Sequence, residues 1–227
     1  AIQFHLKGNI SEATKYYQYC IKQGFNDHRV FSNYAGILQD AGKLKKAELS
    51  LCKAIEIKPD FAEAYSNLGT ILGDLGKLKD AELSYRKAIE IKPDYAEALY
   101  NLGVILKDLG KLKDAELSYR KAIEIKPDYA EAHSNLGTIL GDLGQLQEAE
   151  ISTRKAIEIK PDFAEALYNL GVILKDLRKL KVAELSYRKA IEIKPDFAEV
   201  HSNLGNILRD LGQLQEAEIS TRKAIEI

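Results

Sequence analysis

The sequence predicts an all-α protein assembled from repeated pairs of helices, and three observations carry this prediction. All five prolines stand 34 residues apart in one motif, Ile-Lys-Pro-Asp followed by Phe or Tyr. Apolar residues recur at helical spacing between these prolines. Most of the intervals also contain a glycine at which one helix can stop before the next begins. Such a period is typical of a solenoid, in which neighbouring repeats cover each other.

The period assigns all 227 residues to a single solenoid. Residues 1–27 form the back part of one repeat, and residues 198–227 form a truncated repeat. The full repeats between them are 28–61, 62–95, 96–129, 130–163 and 164–197. Met is absent even at position 1, so we expect the chain to be an excerpt of a longer protein.

The first helix of a repeat is illustrated by the repeat at 96–129. Asp94, with Glu97 three residues later, predicts a capping box at the start of this helix. Apolar residues at helical spacing follow as far as Leu109. Gly110 then predicts a left-handed stop, a conformation that residues with a Cβ resist.

The second helix of the same repeat is predicted over Leu112 to Ile125. Pro127 ends it because proline lacks a backbone donor. Glu116 and Arg120 are predicted to form an exposed pair four residues apart on its solvated side. The equivalent predicted pairs are Glu82 with Arg86 and Glu150 with Arg154.

One repeat departs from the pattern at its turn. Arg178 replaces the glycine, and Val182 replaces the acid found at Asp80 and Asp114. A left-handed conformation would cost about 1 kcal/mol at Arg178. We therefore expect this turn to differ from the others or to be softer.

Composition excludes several classes of partner. The chain has 33 Lys and Arg against 34 Asp and Glu, so its net charge of -1 gives no attraction to nucleic acid or anionic lipid. No apolar run reaches the roughly 20 residues of a membrane span. Cys20 and Cys52, predicted to be buried, are too few for a disulfide framework, so a reducing, cytoplasmic location is expected.

No pattern of catalytic, metal-binding or cofactor-binding residues is present. The histidines are His5, His28, His133 and His201, and none has the spacing of a metal site. His133 and His201 occupy equivalent places two repeats apart, so packing roles are expected. The sequence therefore predicts a chain that is not itself an enzyme and needs no cofactor or metal.

The repeat is similar to the signature of the tetratricopeptide-repeat family, although the family's usual tryptophan in the first helix is missing. The residues that carry the resemblance are Leu102, Gly103, Ala115, Tyr119, Ala122 and Pro127. The resemblance implies a right-handed superhelix with a concave groove that binds polypeptide. Small residues such as Gly103 are expected to let helix backbones approach closely.

Two ladders of polar residues follow one side of the first helices. At about 100° per residue this side is distinct from the apolar one, so we expect it to face water or a partner. The first ladder consists of Asn33, Asn67, Asn101, Asn135, Asn169 and Asn203. The second consists of Asp40, Asp74, Asp108, Asp142, Asp176 and Asp210.

An asparagine ladder can hold an extended peptide, because each amide offers the donor and acceptor that a peptide bond needs. It resembles the ladder in the repeat domains of O-linked N-acetylglucosamine transferases. Two alternatives remain open: the asparagine was copied with the repeat, or it bonds a neighbouring helix.

Selectivity would come from residues that alternate between repeats. Tyr100 and Lys107 match Tyr168 and Lys175, whereas serine and glycine take these places in the intervening repeats. Duplication of a two-repeat block explains this alternation equally well. Acidic residues outnumber these lysines along the same side. We therefore expect the groove to prefer neutral or basic extended segments.

Three hypotheses about function follow. The first is an interaction scaffold that binds an extended polypeptide in the groove. The second is the substrate-targeting arm of a larger enzyme such as a glycosyltransferase. The third is a structural solenoid that associates end to end with further copies.

Overall fold

The computed structural model describes residues 8–227, and these residues contain helices and turns without strands, which confirms the all-α prediction. The first seven residues of the partial repeat, including His5, lie outside the described part. The helices are α1 (Ile10–Lys22), α2 (His28–Asp40), α3 (Leu44–Ile57), α4 (Ala62–Asp74), α5 (Leu78–Ile91), α6 (Ala96–Asp108), α7 (Leu112–Ile125), α8 (Ala130–Asp142), α9 (Leu146–Ile159), α10 (Ala164–Asp176), α11 (Leu180–Ile193), α12 (Ala198–Asp210) and α13 (Leu214–Glu226).

The chain forms two compact units, residues 1–111 and 112–227. The described part of the first unit contains α1 to α6, and the second contains α7 to α13. Within each unit every helix packs against the next one along the chain. We call the even-numbered helices the A helices and the odd-numbered ones the B helices. Neighbouring A helices also touch, α2 with α4, α4 with α6 and α8 with α10, so their equivalent residues are neighbours.

In the hairpins α4–α5 and α10–α11 an A-helix glycine meets a tyrosine of the B helix. A Cβ added at Gly69 would lie 2.8 Å from the ring of Tyr85. Gly171 is covered in the same way by the ring of Tyr187. Tyr85 is 3% exposed and Tyr187 is fully buried, so these contacts are part of the core. The expected close approach is therefore confirmed at Gly69 and Gly171.

The predicted capping box at Asp94 and Glu97 is wrong. The A helix of that repeat begins at Ala96, and its N-cap, Tyr95, makes no side-chain capping bond. Instead, the Lys92 ammonium lies over the Tyr95 ring, 4.8 Å from its centroid. The turn before the helix is thus held by a cation–π contact, which aspartate does not supply.

The expectation that the turn at Arg178 would differ from the others is also wrong. Arg178 adopts φ 61°, close to the 72° of Gly110 in the equivalent turn. The Arg178 amide donates to the Lys175 carbonyl at 2.9 Å, as in the glycine turns. The repeat keeps its shared backbone, and Arg178 bears the strain of a left-handed conformation.

The predicted glutamate–arginine pairs on the B helices form, but their glutamates are not exposed. Arg86 Nη2 lies 2.9 Å from Glu82 Oε1, and the Glu82 residue is only 8% exposed. Lys111 of the next repeat contacts the other oxygen of Glu82 at 2.7 Å. These pairs therefore join two repeats, a role that the prediction of a solvated face missed.

His133 and His201 have the packing role that the sequence predicts. The His133 ring donates from Nε2 to the carbonyl of Pro127 at 2.9 Å, and His201 does the same to Pro195. Each ring thus ties an A helix to the turn that precedes it. The prediction that Cys52 is buried is wrong, because this residue is exposed.

Candidate functional site

The asparagine and aspartate ladders of the first unit lie on its A helices, and we call this surface the A-helix face. Asp40, Asp74 and Asp108 are all exposed near the C-terminal ends of these helices. Asn67 is exposed and Asn101 is partly buried. Because α4 contacts α6, the two asparagines stand on neighbouring helices one repeat apart.

The amides of the first unit differ in their partners. Asn33 hydrogen-bonds to Tyr17, whose pKa is nevertheless raised because the phenol is desolvated by burial. Within residues 8–111, the side chains of Asn67 and Asn101 make no hydrogen bond to another protein group. Both amides therefore keep a donor and an acceptor for a ligand.

In the second unit the asparagines bond to the preceding repeat. Asn169 Nδ2 donates to Ser134 Oγ at 3.2 Å, and Asn203 Nδ2 donates to the Tyr168 hydroxyl at 3.2 Å. Asn135 lies partly buried on α8. These bonds are of the kind that the neighbouring-helix alternative predicts, and each leaves one amide N–H and the amide oxygen of its asparagine for other partners.

The acidic character of the A-helix face is strongest in the first unit. Asp74 accepts a hydrogen bond from Gln39 at 3.1 Å. Within residues 8–111, Asp40 and Asp108 form no ion pair, and neither does the exposed Lys107. This surface therefore carries more free carboxylates than free ammonium groups.

On the A helices of the second unit several acids are partly neutralised. Lys160 lies 3.7 Å from Glu131, and Lys194 lies 3.6 Å from Glu165. Lys175 stands 3.9 Å from Asp176, at the limit of an ion pair, while Asp142 is exposed.

The tyrosines expected to contribute to selectivity already contact other parts of the protein. Tyr168 accepts the hydrogen bond from Asn203, and its ring packs 5.4 Å from that of Phe197 and 6.1 Å from that of Tyr187. Tyr100 is partly buried on α6. The hydroxyl and the ring of Tyr168 are thus already in contact with other side chains of the second unit.

Sequence reasoning missed the lysines that link consecutive B helices. Lys77 contacts Glu48 at 2.7 Å, and Lys179 contacts Glu150 at 2.7 Å. The hydrogen bond from Lys179 holds the pKa of Glu150 below its usual range. The indication in the sequence is a glutamate followed 29 residues later by lysine.

Over residues 8–227, no group of three or more His, Cys, Asp or Glu side chains is placed to hold a metal ion. None of the helices in this part of the chain is both long and apolar enough to span a membrane.

Comparisons with known proteins agree with this architecture. Models of the tetratricopeptide repeat match residues 28–61, 96–129, 118–151 and 198–227. A further model of the same repeat matches 71–110 and 180–212. The chain therefore belongs to the tetratricopeptide-repeat family. No curated protein gives a significant match.

Solved structures resemble the chain over most of its length. YrrB, described as a tetratricopeptide-repeat protein with an unusual peptide-binding site, is 27% identical with a TM-score of 0.68, covering 81% of this chain and 95% of YrrB. MamA is 28% identical with a TM-score of 0.65, covering 70% and 93%. PilF of Pseudomonas aeruginosa is 18% identical, with a TM-score of 0.76 and coverage of 85% and 88%. The last likeness shows the fold alone.

Proposed function

We propose that the chain is an interaction scaffold that binds an extended polypeptide on its A-helix face, and that the first unit carries the principal contact. The observation behind this proposal is the pair of unoccupied amides at Asn67 and Asn101. They lie one repeat apart on helices that touch each other. A peptide backbone that crosses both helices receives a donor and an acceptor at each amide.

The charges beside these amides favour a neutral or basic segment. Asp108 and Asp40 are exposed carboxylates without an ion-pair partner among residues 8–111, and Lys107 is the nearby opposing charge. A lysine or arginine side chain of the ligand gains an attraction that a glutamate side chain does not. The peptide-binding site described for YrrB supports the same class of ligand.

Fluorescence anisotropy with two labelled peptides of equal length, one rich in Lys and Ser and one rich in Glu and Ser, tests this proposal. We expect the Lys-rich peptide to bind more tightly. The double variant Asn67→Ala, Asn101→Ala removes both amides, and at a loss of about 1 kcal/mol per amide its affinity should fall roughly thirtyfold.

The matched control is Asn206→Ala, which alters an exposed asparagine on the A helix α12 outside the ladder. It should bind as the unaltered chain does. Unchanged affinity of the double variant with circular dichroism intact would contradict the amide contact. Tighter binding of the Glu-rich peptide would contradict the charge preference.

A further inference from the structure

A row of large apolar side chains lies exposed on the B helices of the second unit. Leu117 is 55% exposed, Ile151 69%, Leu185 54% and Ile219 70%. They stand 34 residues apart, one on each of α7, α9, α11 and α13. The core does not use them, and an exposed apolar surface becomes a candidate interaction site where such side chains adjoin apolar grooves.

Two apolar grooves accompany this row. The first lies between α7 and α9, with Ile123 on one wall, Leu136 and Leu140 on its floor, and Ile151 on the other wall. The second lies between α11 and α13. Its lining contains the residues two repeats further on, Ile191, Leu204, Leu208 and Ile219. The first groove lies between helices in the interior of the unit's sequence. The second groove, which has the equivalent lining residues, therefore repeats a feature of the surface.

Each groove is bridged by an arginine that joins its two B helices. Arg120 on α7 contacts Glu148 on α9 at 2.9 Å, and Arg188 on α11 contacts Glu216 on α13 at 2.6 Å. The equivalent arginine on α9, Arg154, faces a repeat in which valine replaces the acid. The two grooves and their bridges therefore stand two repeats apart.

Helices α7 and α11 also carry charged side chains whose equivalents on α9 form an ion pair within that helix. On α9, Lys155 lies 2.9 Å from Glu158. The same positions on α7 and α11 are Lys121 with Glu124 and Lys189 with Glu192. All four of these side chains are exposed, and none forms an ion pair with any residue of 112–227.

On each of these two helices a leucine, a lysine and a glutamate lie within about 60° of one another. On α7 these are Leu117, Lys121 and Glu124. The equivalent residues on α11 are Leu185, Lys189 and Glu192. Each helix thus presents its exposed leucine, which we call an apolar ridge, beside a lysine that forms no ion pair with residues 112–227. Each also borders a groove that has an apolar floor beside a free carboxylate.

We propose that the groove face of the second unit binds a second copy of this chain in an antiparallel, two-fold arrangement. In it α7 lies in the partner's second groove and α11 in the partner's first groove. Leu117 and Leu185 enter the apolar floors. Lys121 pairs with the partner's Glu192, and Lys189 pairs with the partner's Glu124.

The spacing of the surface is what favours a second copy. The ridges on α7 and α11 are two 34-residue repeats apart, and so are the two grooves. Both ridges can therefore lie in grooves of the partner at the same time. Rotation by a two-fold axis reproduces every contact, as an isologous interface requires. The first groove is also electrically balanced, with Arg120, Arg154 and Lys155 against Glu124, Glu148 and Glu158. A strongly basic or acidic foreign helix therefore gains no net attraction there.

This interface is independent of the proposed peptide site. It uses B helices of the second unit, whereas Asn67 and Asn101 lie on A helices of the first. Peptide binding and self-association can therefore fail separately.

Sedimentation velocity over a wide concentration range, with the whole chain, tests the interface. We expect a monomer–dimer equilibrium. An acidic variant, Lys121→Glu with Lys189→Glu, places like charges opposite one another at each contact. A basic variant, Glu124→Lys with Glu192→Lys, does the same with opposite sign. Each variant alone should dimerise at least about tenfold more weakly, since several ion pairs become repulsive. Mixing the two variants should restore the dimer, because opposite charges then meet at every contact.

The matched control is Lys53→Glu with Lys87→Glu in the first unit, where these lysines already pair with Glu56 and Glu90. It should dimerise like the unaltered chain. A chain that stays monomeric at every concentration would overturn the proposal. So would a dimer that neither variant weakens, or two variants that fail to associate when mixed while circular dichroism shows both folded.

Discussion

The hairpins α4–α5 and α10–α11 have B helices that differ at a single position. The buried tyrosine hydroxyls in their cores nevertheless have different surroundings. In α4–α5 the buried Tyr85 hydroxyl lies 2.9 Å from the hydroxyl of Thr70. In α10–α11 valine stands in the place of that threonine, at Val172. The buried Tyr187 hydroxyl has no hydrogen-bond partner among residues 112–227. Burial accordingly raises the pKa of Tyr187.

The two hairpins differ in the same direction elsewhere. Gly76 takes the left-handed turn of α4–α5 without steric cost, whereas Arg178 takes it in α10–α11. Glu82 contacts a lysine of the next repeat, whereas the residue in that place for α11 is Gln213. The repeat period thus fixes the backbone, while a few substitutions make the stability uneven along the chain. We expect α10–α11 to open more readily than α4–α5.

The largest expected effect concerns the inter-repeat ion pair. Glu82→Gln removes the charge that binds Lys111 and Arg86, and we expect it to lower the free energy of unfolding by about 1–2 kcal/mol. Glu184→Gln, which loses only a contact with Arg188 on its own helix, should cost less than about 1 kcal/mol. Urea denaturation of both variants measures the difference. Equal losses would contradict the role of Lys111.

The same pair sets a pH dependence. The hydrogen bond from Lys111 lowers the pKa of Glu82 below its ordinary value of 4.5. Because the unfolded chain binds the proton more readily, this contribution is present above pH 4.5 and is lost as the pH falls through the lower, folded pKa. Glu82→Gln should therefore lose less stability than the unaltered chain over that acidic interval. Parallel pH profiles would show that Glu82 is not coupled to folding.

A smaller effect is expected at the tyrosine hydroxyls. Val172→Thr gives Tyr187 the partner that Thr70 provides for Tyr85, and should raise the free energy of unfolding by about 1 kcal/mol. The reciprocal change Thr70→Val should lower it by a similar amount. Thermal unfolding followed by circular dichroism checks both. The gain should vanish when Tyr187→Phe is added, and its survival there would point to another cause.

The smallest effect is expected at the turn. Arg178→Gly removes a left-handed side-chain residue and should stabilise the chain by up to about 1 kcal/mol. Some of that gain is offset because glycine loses more conformational entropy on folding. Gly76→Arg should destabilise by a similar amount. Chemical denaturation of the two variants should therefore shift in opposite directions, and a shared direction would refute the strain at Arg178.

Much of this fold could be predicted from the sequence, because a 34-residue period with proline and glycine at fixed places allows few arrangements. The second helix of the repeat at 96–129, predicted over Leu112 to Ile125, has these bounds in the structure. The capping by Asp94 could not be judged in the same way. It depends on whether the chain before Ala96 points the carboxylate at the helix, and a lysine over Tyr95 holds that turn instead.

The candidate site was less predictable because it depends on the neighbouring repeat. The spacing of the asparagines places them on one side of the A helices. Whether an amide is free depends on which residue lies 35 positions earlier and how its side chain is turned. Ser134 accepts from Asn169, whereas Ser66 does not bond Asn101. Sequence pattern therefore predicts the ladder, and side-chain geometry decides which amides remain unoccupied.

The alternating bridges described in the second unit also govern how nearly identical helices find the correct neighbour during folding. If a repeat docked one position out of register, Arg120 would face Val182 in place of Glu148, and the bridge would be lost. A slip of two positions would present Glu216 and restore the bridge. A slip of one repeat that sets α7 against α11 therefore loses this bridge, whereas a slip of two repeats keeps it, and such register errors are a characteristic hazard of repeat arrays.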